Sequence, residues 1–568
     1  MLLSNLNLLA TAPGGVARLR ELILTLAVQG KLVPQDPSDE PASELLKKIR
    51  AEKDRLIAEG KIKRDKPLVE IAEDEKPFGL PVGWEWGRLD DVAIAIVDCP
   101  HSTAKFVANG LLCIDTNSFK NGKLVPHKLR YVDEATFADR IARLQPQPGD
   151  LVFAREGSVG ESLIIPDGVN ACLGQRVMLF RFSKWVCNEF IRMTISSKAF
   201  VDKLLALHKG IGAKHVNVGD MRLALVPLPP LAEQFRIVTR VEELMRLCDA
   251  LEAKGQLAAT AHAQLVTTLL AALTESETPV QLADNWQRVA THFDLLLDRP
   301  QAVDALEQTI LQLAVRGLLV PQDPQDEPAS ELLKKIRAEK DKLIAEGKIK
   351  RHKPLPPIGE CEQPFALPDG WEWAQMGDAV NSSEAGWSPT CIGSPRRDGH
   401  WGVLKVSAVS WGAFDANANK ELPADLTPRP EYEVQDGDFL LSRANTEELV
   451  ARSVVVGIVE PKLMLSDKII RLGVSSLMNR DFLNLCNNAN HARAHYIANA
   501  SGTSSSMKNV SREVVLRTPV PLPPLAEQSR IVTRVAQLRR LCADLRQSLA
   551  ASQSTQAHLA EALVHAVA

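Results

Sequence analysis

Basic, hydroxyl and amide side chains recur in the Gly- and Pro-containing loops of this sequence, and their types limit the chemistry on offer. DCPHSTAKF carries His101, Ser102, Thr103 and Lys105, FAREGSVG places Arg155 directly after a β-type run, and HKGIGAKHVN carries Lys209, Lys214 and His215. Further on, GWSPTCIGSPRR carries Trp387, Arg396 and Arg397, LSRANT carries Arg443 and Asn445, and SGTSSSMKN carries Ser504, Ser505 and Lys508. Arginine and lysine bond guanine edges or phosphates, asparagine pairs with adenine, and Ser/Thr/Gly loops donate to phosphates. Such loops suit a DNA duplex. Aligning GDLVFAR with GDFLLSR makes Arg155 and Arg443 equivalent. Each position also has a plainer reading. A lone arginine after a strand can be a surface salt bridge, and His101 and His215 can be ordinary loop histidines. The GWEW tryptophans read as core packing rather than base stacking, and the basic tails KIKRDKP and KIKRHKP as phosphate contacts or solvated linkers.

Catalytic sets are missing. The sequence has no G-x-x-x-x-G-K-[ST], no Gly-rich dinucleotide or S-adenosylmethionine fingerprint after a strand, and no [ND]-P-P-[FY]. GLPVG and GSVG read as turns. The acidic clusters Glu73-Asp74-Glu75 and Glu447-Glu448 read as solvated surface rather than metal ligands. Nine cysteines include no C-x-x-C pair, so buried thiols in a reducing compartment are expected and structural zinc is not. We expect no catalytic residue and no metal ligand: a binding protein.

Loops need elements to hold them, and here the elements are written twice. Residues 32–68 return as 319–355 with three changes, Ser38/Gln325, Arg55/Lys342 and Asp65/His352. Before each copy lies an apolar helix (Leu19, Leu22, Ile23, Leu26, Ala27; then Leu306, Ile310, Leu313, Ala314) ending at Gly30 and Gly317. Each copy contains a charged helix, 41–59 in the first, with Gly60 at its end. A second motif, VPLPPLAEQxRIVTRV, starts at Val226 and again at Val520 and opens a long helix with 4-3 apolar spacing. Ile237, Val241, Leu244, Cys248, Leu251, Ala258, Leu265 and Leu269 form one seam, and Ile531, Val535, Leu538, Cys542, Leu545, Leu549, Leu559 and Leu563 the other. About 35–40 residues make a rod of roughly 55–60 Å.

The inserts between the repeats alternate β-branched runs with turns, as mixed α/β domains do. The expected fold class is α+β: two mixed α/β domains joined by repeated helices that form an antiparallel coiled coil, a pseudo-twofold tandem duplication. Boundaries fall at 1–78 (helical), 79–227 (insert), 228–365 (helical), 366–520 (insert) and 521–568 (helix). A chain of 568 residues exceeds one core, and its net charge of −3 neither demands nor forbids nucleic acid. The start lacks a basic leader region, and no run approaches the ~18 apolar residues of a membrane span, so a cytoplasmic protein without a membrane partner is expected.

Together these features resemble the specificity (S) subunit of type I restriction–modification enzymes, over nearly the whole chain. The resemblance rests on the doubled P-L-P-P-L-A-E-Q-x-R-I-V-x-R from Pro227 and Pro521, the doubled L-P-x-G-W-E-W, and two divergent inserts between repeated helices. SGTSSSMKNVS and DCPHSTAKF also look like segments of target-recognition domains. The resemblance implies that each insert reads one half of a bipartite, asymmetric site on double-stranded DNA. The helices, through Ile237, Val241, Leu244, Leu251, Ile531, Val535, Leu538 and Leu545, would set the unspecified gap and bind two methyltransferase (M) subunits, which motor-nuclease (R) subunits then join. This chain would need no cofactor, because S-adenosylmethionine, ATP and Mg would belong to the partners. The segments before Leu19 extend the family's pattern. Two alternatives stay open: the equivalent subunit of a fused methyltransferase–nuclease (type IIB-like) system, and a coiled-coil adaptor that binds only proteins.

Overall fold

The computed structural model describes residues 6–62, 68–100, 102–206, 215–276, 278–350, 355–359, 362–410, 412–504 and 507–567. The chain forms two compact units, 1–259 with 552–568, and 260–551. Each begins its frame with an apolar helix, Gly15–Val28 or Pro300–Val315, that a left-handed glycine stops. Gly30 and Gly317 have φ of 70° and 73°. A Cβ at either would lie 2.5 Å from a proline Cγ, of Pro81 or Pro368, and against Trp84 or Trp371. Only glycine allows both the turn and that approach.

The charged helix spans Ala42–Ala58 and Ala329–Ala345. Extended Pro41 and Pro328 precede it, and Glu44 and Glu331 in the first turn complement its N-terminal dipole. It buries Ala42, Leu45 and Ile49, or Ala329, Leu332 and Ile336, and leaves its charged face to solvent. A repeated lysine ties it to the insert domain. Lys53 Nζ donates to Asp90 O at 3.0 Å, and Lys340 Nζ to Gly377 O at 2.8 Å and Val380 O at 3.0 Å.

Both inserts are built on the same antiparallel sheet. In the first its order is Ala93–Asp98, Val177–Phe182, Leu151–Ala154, Ser162–Ile164. In the second it is Val380–Ala385, Ile469–Val474, Phe439–Ser442, Ser453–Val455. Strands Glu85–Arg88 and Leu225–Leu228 pair antiparallel to close the first insert at its two ends, as Glu372–Gln375 and Pro519–Leu522 close the second. The run WGVLKVSAVSWGAF is a strand only at Gly402–Leu404. It then turns into a 3-10 segment, Val406–Val409, which drops Ala408 and Val409 into the core.

The rods are longer than their seams suggested: Leu231–Thr274 and Leu525–Val567. Each begins in one unit and ends in the other. The seam is covered only toward the ends. In the first unit Ile237 and Val241 are buried, with Leu244 and Leu251 packed at the margin. They share a cluster with Leu19 and Ile23 of the lead helix and with Ala560 and Val564. Ile531, Val535, Leu538 and Leu545 hold the same places in the second unit, in a cluster with Val303, Leu306 and Ile310. Residues 252–261 are exposed on every face, and Leu265 and Leu559 are about half exposed. Val266, Leu270 and Leu273 are buried instead. The 4-3 seam is therefore interrupted around Gly255, one of its two weak points with His262, and the lead helix packs on the rod's first turns. By length and composition, an 18-residue window of Leu231–Thr274 also reaches a membrane-span measure, with mean hydropathy 1.4. Leucines supply most of that value, and His262 within the helix bonds Leu295 O at 3.0 Å.

Candidate nucleic-acid interface

Each insert domain is also fixed to its frame by a joint built from the repeated AEQxR letters at the start of the rod. Glu233 is buried and accepts two bonds, from Trp84 Nε1 at 3.0 Å and Gln35 Nε2 at 3.2 Å. Gln234 accepts from the backbone N–H of Cys187 at 2.7 Å and donates to Pro229 O at 2.9 Å. Arg236 pairs with Asp39 at 2.5 Å. The second unit repeats the joint: Trp371 and Gln322 on Glu527, Asn479 N–H on Gln528, and Arg530 on Asp326 at 2.6 Å. Burial pushes the Glu233 and Glu527 carboxyls above the usual glutamate range, against the pull of those donors. Trp84 and Trp371 are thus packing residues, each edge-on to a phenylalanine of its insert, Phe190 or Phe482.

The sheet register confirms that Arg155 and Arg443 stand at one structural position. Val177 pairs with Ala154, and Ile469 with Ser442. Arg155 N–H donates to Arg176 O at 2.9 Å, and Arg443 N–H to Lys468 O at 2.7 Å. Their carbonyls accept from Val216 and Val510. The side chains differ. Arg155 Nη1 lies 2.7 Å from Asp98 Oδ2, with both side chains mostly buried, so one edge of its guanidinium is held within the domain. Arg443 is exposed and has no ion pair among the described residues. The structure also brings Arg443 beside Asn445 and Lys508. Ala444–Asn445 pairs with Met507–Asn509, setting Asn445 opposite Lys508. Asn445 Nδ2 donates to Ser410 Oγ at 2.9 Å, and Lys508 Nζ lies 3.9 Å from Glu447.

Other expected contacts are spread out or already engaged. Ser102, Thr103 and Lys105 are exposed, and the Ser102 carbonyl accepts from Arg140 Nη2 at 2.6 Å. His215 bridges to Glu156 through backbone. Trp387 is half-buried with the Arg429 guanidinium 4.2 Å from its ring centroid, so one face is taken. Arg396 is mostly buried and donates to Pro461 O at 2.5 Å. Arg397 grips buried Glu421 at 2.6–3.2 Å, which holds that carboxyl down to about 2. These two arginines brace strand Asn419–Glu421, because a carboxylate and a carbonyl distant in sequence fold against them. His101, Lys209, Lys214 and Ser505, and the side chain of Ser504, lie outside the described residues, as does most of both basic tails. Sequence reasoning missed Asp98, Glu156, Arg176 and Lys468. Extending the GDLVFAR/GDFLLSR alignment to QRVMLF and DKIIRL would have found the last two. Among the described residues no three His, Cys, Asp or Glu side chains group to hold a metal.

Residues 81–259 match the family model for the type I restriction modification DNA specificity domain. The chain is 42% identical to the type I restriction enzyme EcoEI specificity subunit of Escherichia coli, across 97% of this chain and 94% of that one. It is 36% identical to the EcoAI specificity subunit of the same organism, with the same coverage. Among solved structures, the HsdS subunit from Thermoanaerobacter tengcongensis aligns with a TM-score of 0.39 at 17% identity, covering 86% of this chain and 98% of that one. A chain from a type I R-M system aligns at 0.46 and 16%, covering 86% and 99%.

Proposed function

The chain belongs to the family of type I restriction enzyme specificity subunits, and from that membership we propose that it is the DNA sequence-recognition subunit of such an enzyme. Each insert domain reads one half of a bipartite, asymmetric site, and the rods hold the two halves at a set spacing. Catalysis belongs to partner subunits: adenine methylation with S-adenosylmethionine, and ATP- and Mg-dependent cleavage. The assembly works in the cytoplasm with no membrane partner. The observation that carries this reading is one frame, joint and sheet register repeated around two inserts whose surface loops have diverged. Two half-sites of different sequence require that combination.

The partner surface is supported by a contrast within the frame. On the charged helix, the exposed residues Lys47, Arg50, Ala51, Asp54 and Ala58 return unchanged as Lys334, Arg337, Ala338, Asp341 and Ala345. On the lead helix most apolar positions are kept, with Leu22 becoming Thr309, while Arg20 and Glu21 become Glu307 and Gln308. The one change on the charged helix's exposed face, Arg55 to Lys342, keeps the charge. Folding alone does not preserve an exposed face, and two nearly identical faces suit two copies of one protein, the methyltransferase subunit. Sequencing methylated adenines in cells carrying the complete system tests the function. One bipartite motif is expected, with Arg155→Ala relaxing a single half of it. No motif dependent on this chain would refute the reading.

A further inference from the structure

Four register positions around the Arg155/Arg443 site carry opposite electrostatic designs in the two units. Two of them are cationic in both: Arg155 and Arg443, then Arg176 and Lys468, which precede the equivalent strands Val177–Phe182 and Ile469–Val474. The other two differ. Asp98 pairs with Met178, and Ala385 pairs with Ile470 at the same place in the sheet. Glu156 follows Arg155, and Ala444 follows Arg443. The first unit therefore faces both cations with carboxylates, at 2.7 Å (Arg155–Asp98) and 3.4 Å (Arg176–Glu156). The second unit puts alanine at both places. Among the described residues Lys468 keeps one looser partner, Asp467 at 3.7 Å, and Arg443 has none.

We propose that the two domains hold DNA by different means, with position 98/385 as the determinant. In the second unit Arg443 acts as an uncompensated charge that anchors a phosphate. In the first, Asp98 neutralises Arg155 and fixes its guanidinium plane, so that its remaining N–H groups serve as oriented donors to a base edge. The difference is measurable. A cation that meets phosphate uncompensated releases about 0.9 counterion, and one already neutralised by a carboxylate releases less. The proposal rests on the DNA-recognition reading above.

The test uses the full chain assembled with its methyltransferase subunits, titrated with a duplex carrying the methylated motif and with a scrambled duplex across a salt series. Ala385→Asp should make the negative slope of log K against log[salt] shallower by about 0.9 and weaken both duplexes alike. Asp98→Asn, nearly isosteric, should make that slope steeper by about 0.9 and narrow the preference for the cognate duplex. Both complexes are first checked for assembly and melting temperature. Slopes unchanged in both variants, or moved the same way, overturn the proposal while leaving the function intact. A wild-type complex that does not prefer its cognate duplex overturns both.

Discussion

Replacing Glu233 by alanine should destabilise the first unit by about 1–3 kcal/mol and leave the second unchanged. The magnitude comes from the joint. Trp84 is 5% exposed, so its indole N–H, deprived of Glu233, finds no water and carries the penalty of an unsatisfied buried donor. Gln35 is exposed and keeps its bond to Gly30 O, so losing its second acceptor costs little. Glu233→Gln should cost less than alanine, because its amide oxygen can still accept from Trp84. The pH dependence separates the two effects. Burial raises the Glu233 carboxyl above its unfolded value of about 4.3, so its favourable contribution is present below that pH and lost as pH rises through the folded value. The glutamine variant should therefore lose less stability than wild type as pH rises above the unfolded glutamate value. Hydrogen exchange followed by mass spectrometry across a urea series reads the units separately. If Glu233→Ala moves peptides of both units equally, or glutamine costs as much as alanine at every pH, the reasoning about the joint is wrong.

Gly30→Ala should lower the melting temperature of the first unit alone, with a loss of at least about 1–2 kcal/mol from the left-handed backbone, and the crowding of Pro81 adds to it. Gly317→Ala should do the same to the second, as a calorimetric trace will show. Arg397→Ala releases Glu421 from its value of about 2. The stabilisation this carboxylate gives is present above its unfolded value and is lost as pH falls through about 2. The variant should be less stable at neutral pH, with acid unfolding starting at higher pH, read by circular dichroism. In filter binding, Arg396→Ala and Arg397→Ala should change DNA affinity less than Arg443→Ala, since both guanidinium groups are engaged within the domain.

Repeats, helix stops and the packing role of the tryptophans were legible because each is local. Gly30 and Gly60 announce turns, and Trp84 and Trp371 recur beside the same letters. What lay across the sheet was not legible. Asp98 reaches Arg155 only because strand register sets it opposite Met178, and Glu421 reaches Arg397 through a fold that no local spacing records. The rods show a different limit. A 4-3 pattern marks the apolar side of a helix but not its cover, so Leu265 and Leu559 were assigned to a seam that the structure leaves half open there. Periodicity reports orientation, and only tertiary contact reports the partner.

The segment 552–568 belongs to the unit that starts with the chain's first residues, where Ala560 lies in the same cluster as Leu9 and Leu19. On the ribosome this imposes an order. The first unit emerges early, yet it must wait for all of 260–551 before its last helix arrives, about 15–60 s at common elongation rates. The second unit, contiguous in sequence, can mature within that interval. The first half of the protein is thus the last to finish, and for that time the apolar surface around Leu9 and Leu19 lacks its Ala560 cover and is open to chaperones.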